Sequence, residues 1–159
     1  MIKVRKGVFE TNSSSTHAIV VAQENTEQFD RIDFRIGEFG WECRYYSDPY
    51  SKASYFYTLA CDALGRDVAD DIAQLLSPYG INCTFSEPAV IGKYGLDNGY
   101  VDHCIEGLDF VNDCLNDASL LIDFLFNDES YVETGNDNDD EPVGETKPRC
   151  AYVEYYKGN

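Results

Sequence analysis

The residues with the greatest chemical potential come early in the chain, where Thr11-Asn12-Ser13-Ser14-Ser15-Thr16-His17 sets a run of hydroxyls directly before an imidazole. A serine becomes a nucleophile when a general base within hydrogen-bond reach takes its proton and a third group orients that base. On an extended chain Thr16 and His17 point to opposite sides, whereas Ser15 and His17 share one. An enzyme reading therefore rests on Ser13, Ser15 and His17 as candidate catalytic residues, with Glu10 or Asp102 to orient the imidazole. The competing reading is a turn in which Thr11, Asn12 and the serines hydrogen-bond nearby backbone and fix a hairpin. A backbone nest that holds an anion is a third.

Asp102-His103-Cys104 sets an acid, a base and a thiol side by side. On a strand Asp102 and Cys104 take one face and His103 the other, so the three converge only with partners from elsewhere. A lone strand histidine is more often packed or at the surface than a general base. Asn136-Asp137-Asn138-Asp139-Asp140-Glu141 offers oxygen ligands for a hard cation. Counted from Asp137, however, the glycine position of a calcium-binding EF-hand loop is Pro142 and its bidentate acid position is Pro148. The expectation is an acidic loop that faces water or a partner, with no metal. No zinc pattern, glycine-rich phosphate loop or dinucleotide fingerprint occurs, and no cofactor is expected.

The elements that must position these residues follow from periodicity. Ile2–Arg5, His17–Ala22, Arg31–Ile36 and Trp41–Tyr46 read as strands, so the first third is mostly β. Asp48-Pro49 starts a helix with an inner face of Phe56, Leu59, Ala60, Ala63 and Leu64, which Gly65 ends. Asp67 caps a second helix with Val68, Ile72, Leu75 and Leu76 inward, closed by Ser77-Pro78-Tyr79-Gly80. Ile81–Phe85 alternates as a strand. The second half echoes that order: a strand at Tyr100–Cys104, a helical face of Leu108, Val111 and Leu115, a buried helix Ala118–Phe126 capped by Asn116-Asp117, and a strand Ser130–Thr134 stopped by Gly135. Ala151–Tyr156 docks last. The expected fold is one α+β domain over 1–159, with a mixed or antiparallel sheet, about four helices and a possible repeated strand, helix-pair, strand unit.

At 159 residues and 43% hydrophobic, with 12 Tyr and 9 Phe, the chain has the material for a real core. No apolar run approaches the roughly 18 residues that span a bilayer. The basic N-terminus lacks an apolar segment behind it, so the expected compartment is the reducing cytoplasm. There the six cysteines serve as free thiols in the core. The formal net charge is −17, and its placement is uneven: between Lys93 and Lys147 stand fifteen Asp or Glu side chains and no Lys or Arg. Such a segment cannot neutralise itself locally, so its carboxylates face water, cations or a basic partner. Direct nucleic-acid binding through this half would set like charges against phosphates and is excluded.

Lys6-Gly7-Val8-Phe9-Glu10-Thr11-Asn12-Ser13-Ser14-Ser15-Thr16-His17 and the later Glu133-Thr134-Gly135-Asn136-Asp137-Asn138-Asp139 resemble segments of a group of small uncharacterised proteins encoded by bacteriophages and their bacterial hosts. The resemblance covers about twenty residues and implies a phage or prophage setting, in which small proteins often disable host machinery. It carries no catalytic residue across.

Charge and resemblance together give the leading expectation. The protein is an interaction protein in the host cytoplasm that inhibits a basic, nucleic-acid-binding host protein, such as a CRISPR or restriction nuclease, through an acidic C-terminal surface. Asp128, Glu129, Glu133, Asp137, Asp139, Asp140 and Glu141 are the expected contacts. Phe110, Phe124, Phe126 and Tyr131 would add apolar contact if exposed, although helical periodicity places most of them inside. The alternative is an enzyme acting on a nucleotide or protein with the Ser/Thr-His segment as its active loop. A structural or regulatory phage protein and acidity that serves only solubility are the plainer readings.

Overall fold

The computed structural model describes residues 15–40, 42–102, 107–136 and 142–157. Ten strands and four helices alternate along it. β1 (Ser15–Ala22), β2 (Arg31–Arg35), β3 (Glu38–Phe39) and β4 (Arg44–Tyr46) come first. Helices α1 (Pro49–Leu64) and α2 (Ala69–Leu76) follow, then β5 (Asn82–Glu87), β6 (Ile91–Gly92), β7 (Gly95–Leu96) and β8 (Tyr100–Val101). Helices α3 (Leu108–Asn116) and α4 (Ala118–Phe126), then β9 (Tyr131–Asn136) and β10 (Tyr152–Lys157), complete the α+β fold.

Helix α1 lies at the centre because its sequence is apolar on nearly every side. The Asp48 carboxylate caps it by accepting from the Ser51 N–H at 2.8 Å, and Pro49 occupies the first turn. Gly65 closes it in the left-handed region at φ 68°, which costs glycine nothing, and its N–H donates to the Cys61 carbonyl at 2.9 Å. The face expected from periodicity was too narrow. Phe56, Leu59 and Ala60 are buried and Ala63 and Leu64 half-buried, but Lys52, Ala53, Tyr55, Tyr57, Thr58 and Cys61 are buried as well. Strands β2 and β8 and helices α3 and α4 all pack on this helix, which leaves Tyr50, with half-buried Ser51 and Ser54, toward water.

The main sheet runs β10-β1-β9-β4, with every neighbouring pair antiparallel. Along β1, His17, Ile19 and Val21 face the helices, while Ala18, Val20 and Ala22 face the other way with their cross-strand partners Glu133 and Tyr131. Residues 142–150, which form no helix or strand, run over that second face as a strap. Val143 lies against Gly135, the Gly144 N–H donates to Glu133 Oε1 at 2.7 Å, and the Tyr131 hydroxyl donates to the Thr146 carbonyl. β2 and β5 form a separate parallel pair, as do β3 and β8, and β6-β7 is a hairpin.

Several expectations change. Ser15 and Thr16 belong to β1 rather than to a turn, and Ile2–Arg5 lies outside the described residues. Strand β4 is shorter than Trp41–Tyr46, and of the Tyr100–Cys104 segment Tyr100–Val101 is strand and Asp102 a turn residue, His103 and Cys104 lying outside the described residues. β9 passes through Gly135 instead of stopping there: the strap crosses so closely that a Cβ at this position would meet Val143 Cγ1 at 3.0 Å. Helix α3 turns Phe110, Val111 and Cys114 inward, leaving Leu108 and Leu115 half-buried. Asp67 accepts from the Ala69 N–H at 2.9 Å, although Val68 holds the cap position. The strand, helix-pair, strand order does recur, but β5 pairs with β2 while β9 joins the main sheet, so the pairing is not repeated.

Candidate functional site

Strand alternation brings Ser15 and His17 to the same face of β1, where both are buried. Both His17 ring nitrogens are committed. A carbonyl can only accept, so Nε2 carries the proton and donates to the Gly40 carbonyl at 3.0 Å. In the neutral ring Nδ1 then accepts from the Tyr55 hydroxyl at 2.8 Å. Tyr55 is itself buried, and that burial, with the nearby Tyr46, raises its phenol well above the ordinary value. The imidazole therefore joins β1 to α1 and to the Gly40 backbone just after β3. A general base needs a nitrogen directed at the proton it removes. Ser15 Oγ is buried and has no hydrogen-bond partner among the described residues. Ser13 and Glu10 lie outside them, as do His103 and Cys104.

Asp102 also comes close to Gly40. Its N–H donates to the Phe39 carbonyl at 3.0 Å, and a Cβ on Gly40 would lie 3.2 Å from Asp102 Oδ2 and 3.5 Å from Glu42 Oε2. Thr134, opposite His17 on β9, donates its hydroxyl to the Glu42 carbonyl. Burial first, then the fields of Glu38, Asp102 and Glu42, raise the Tyr100 phenol. The result is a buried polar joint with carboxylates along its rim, suited to holding strand, helix and turn together. Sequence reasoning missed Tyr55 and Gly40, because neither an interior helical tyrosine nor a backbone carbonyl carries a local signal. Among the described residues no group of His, Cys, Asp and Glu is arranged to hold a metal ion.

The acidic half divides by role. Asp128 is exposed beside buried Lys52, whose ammonium donates to the Asn127 and Ser130 carbonyls at 2.7 and 3.0 Å. Burial pulls that ammonium down to about 8, against the opposing fields of Asp48 and Asp128. Glu129 takes the strap: Oε2 accepts from the Arg149 N–H at 3.1 Å, and Oε1 lies 3.4 Å from the Arg149 guanidinium. Glu133 holds Gly144. Asp137, Asp139, Asp140 and Glu141 lie outside the described residues.

A row that the sequence expectation left out runs along α3 and into the junction after it. Asp109, Asp113 and Asp117 are all exposed; Asp109 and Asp113, four apart, share one helical face, and Asp117 is the extended residue between α3 and α4. Asp113 accepts from the Tyr155 hydroxyl at 2.8 Å, and Asp117 caps α4 by accepting from Ser119 and Leu120 N–H. Among the described residues ion pairs join Asp33 to Arg35, Asp71 to Arg66, Glu129 to Arg149 and Glu154 to Lys147, and none involves this row. Phe110, Phe124, Phe126 and Tyr131 are buried, so the apolar contacts expected of them if exposed are not on the outer surface.

Two further features lie apart from these groups. A groove of about 700 Å³ is bordered by Phe29, Tyr79, Ile81, Ile122 and Phe126, with Phe29 stacked on Phe126 at 4.7 Å between ring centroids. Cys61, Cys83, Cys114 and Cys150 are free thiols. Cys61 and Cys114 are core groups whose thiols burial pushes up, Cys61 to about 12. Cys43, in contrast, is exposed and fills no core space. No helix of the described residues is long and apolar enough to cross a membrane. Compared with known protein families, curated proteins and solved structures, the chain matches none.

Proposed function

We propose that this chain is a phage-type interaction protein that binds a basic, nucleic-acid-binding protein of the host cytoplasm, such as a CRISPR or restriction nuclease, and inhibits it by occupying the surface meant for nucleic acid. The observation that carries this reading is the exposed row of Asp109 and Asp113 on α3 and Asp117 at its end, within a stretch that contains no Lys or Arg to offset it. Helix rise separates successive members by about 6 Å, a sparser charge than duplex DNA at about one per 1.7 Å. The row is therefore one part of the acidic surface rather than the whole of it. An enzyme reading has less support, since both nitrogens of His17 are already bonded inside the fold.

The test is competition with DNA for basic defence nucleases, run at about 50 and 200 mM salt, since exposed charges are screened within roughly 10 Å. The expected result is equimolar inhibition that weakens at least tenfold at the higher salt, and by a similar factor in the D109N/D113N/D117N variant. Asparagine retains the cap at 117, so folding is preserved. Inhibition that ignores both salt and the triple substitution would overturn the reading.

A further inference from the structure

Two of the carboxylates expected to meet a partner are already in use by the chain itself. The strap 142–150 attaches to the α4–β9 turn through Glu129 and to β9 through Glu133: Glu129 takes both the N–H and the guanidinium of Arg149, and Glu133 takes the Gly144 N–H. Its other cation, Lys147, lies 2.5 Å from Glu154 on β10. Over the region from Tyr94 to Asn159 the only Lys or Arg residues are Lys147, Arg149 and Lys157, so the strap carries most of the positive charge there.

These attachments are of the exchangeable kind. The Arg149 side chain is 94% exposed at 3.4 Å from its partner, and Lys147 and Glu154 are about a third exposed. Ion pairs so open to water add little to stability and give way to competing charge. The strap has no ladder hydrogen bonds of its own, and Gly144 holds a turn at φ 78°. At its edge is a cavity of about 240 Å³ bordered by Tyr45, Glu133, Pro142 and Val143. Tyr45, 49% exposed, stacks on buried Tyr131 with ring centroids 4.7 Å apart. The Tyr131 hydroxyl in turn is held by the strap carbonyl of Thr146.

We propose that the strap is a displaceable internal occupant of an acidic face: an arginine-rich segment of the partner replaces Lys147 and Arg149 on Glu154 and Glu129, lifts the strap and lays a guanidinium group against the exposed ring of Tyr45. Arginine fits better than lysine, because its planar cation pairs with carboxylates in bidentate fashion and stacks on aromatic faces. The inference rests on the interaction-protein reading above and adds to it a contact that must open before the second surface is available.

The experiment uses the intact protein and a labelled deca-arginine peptide at low salt, with amide hydrogen exchange as the structural readout. The expected result is that saturating peptide speeds exchange at the Gly144 and Arg149 amides at least fivefold, while amides inside β1 stay protected. The K147A/R149A variant should bind the peptide about tenfold more tightly than the R66A/K93A variant, which removes the same charge away from the strap. Peptide binding that leaves the Gly144 and Arg149 amides protected would overturn the strap inference while the broader reading survives. Equal tightening in the two variants would overturn it as well. Absence of peptide binding at low salt would remove both.

Discussion

Lys52 and His17 show how individual polar groups are stabilised inside this fold. Lys52 is fully buried yet close to neither Asp48 nor Asp128 in an ion pair, so it relies on two carbonyls of the α4–β9 turn. Lys52→Met removes the donor for both and should destabilise the fold by about 1–3 kcal/mol at pH 7. The pH dependence has a defined sign. Burial lowers the folded ammonium from 10.5 to about 8, so between those values the unfolded chain binds the proton and the folded chain does not. Wild-type stability therefore rises relative to Lys52→Met from pH 8 to 10, by about 2 kcal/mol if the shift is full. Denaturant unfolding of the two proteins side by side measures it, and the raised tyrosines, present in both, cancel. His17 was legible as a candidate by its neighbours and its strand parity, but its environment was not, because Tyr55 and Gly40 are brought to it only by tertiary packing.

At the scale of elements, the helix starts were the most readable features. Asp48-Pro49 and Asp117 announce α1 and α4 because caps act within a few residues of chain. Asp117→Ala should cost about 1 kcal/mol and Asp117→Asn a few tenths, a difference that melting temperatures of the two variants resolve. What failed was any judgement that depends on a distant neighbour. Gly135 looks like a stop, yet it is a strand position kept bare for Val143. Leu108 and Leu115 fit a helical face as well as Phe110 and Cys114 do, and only the positions of α1 and α4 decide which pair turns inward. The row on α3 was written in the spacing of its aspartates but was outweighed by the denser acidic run that follows β9.

For the whole molecule the α+β class was legible from changes of period, whereas the division into one four-stranded sheet and three small pairs was not, since strand partners are set by long-range closure. Net charge acts at this scale too. With −17 on one small fold, self-repulsion opposes compaction, so the melting temperature should rise as salt goes from about 10 to 300 mM, over which the screening length falls severalfold. A flat response in calorimetry would mean that the carboxylates are too dispersed to repel. The placement of β1 has its own outcome during synthesis. It forms near the start of the described chain, yet both of its edges are taken by β9 and β10, close to the end. At about 5–20 residues per second, the ribosome delivers those partners on the order of ten seconds later. For that interval the apolar run Ala18–Ala22 is a nascent segment without a sheet, open to chaperones, and productive folding waits for the last strand to emerge.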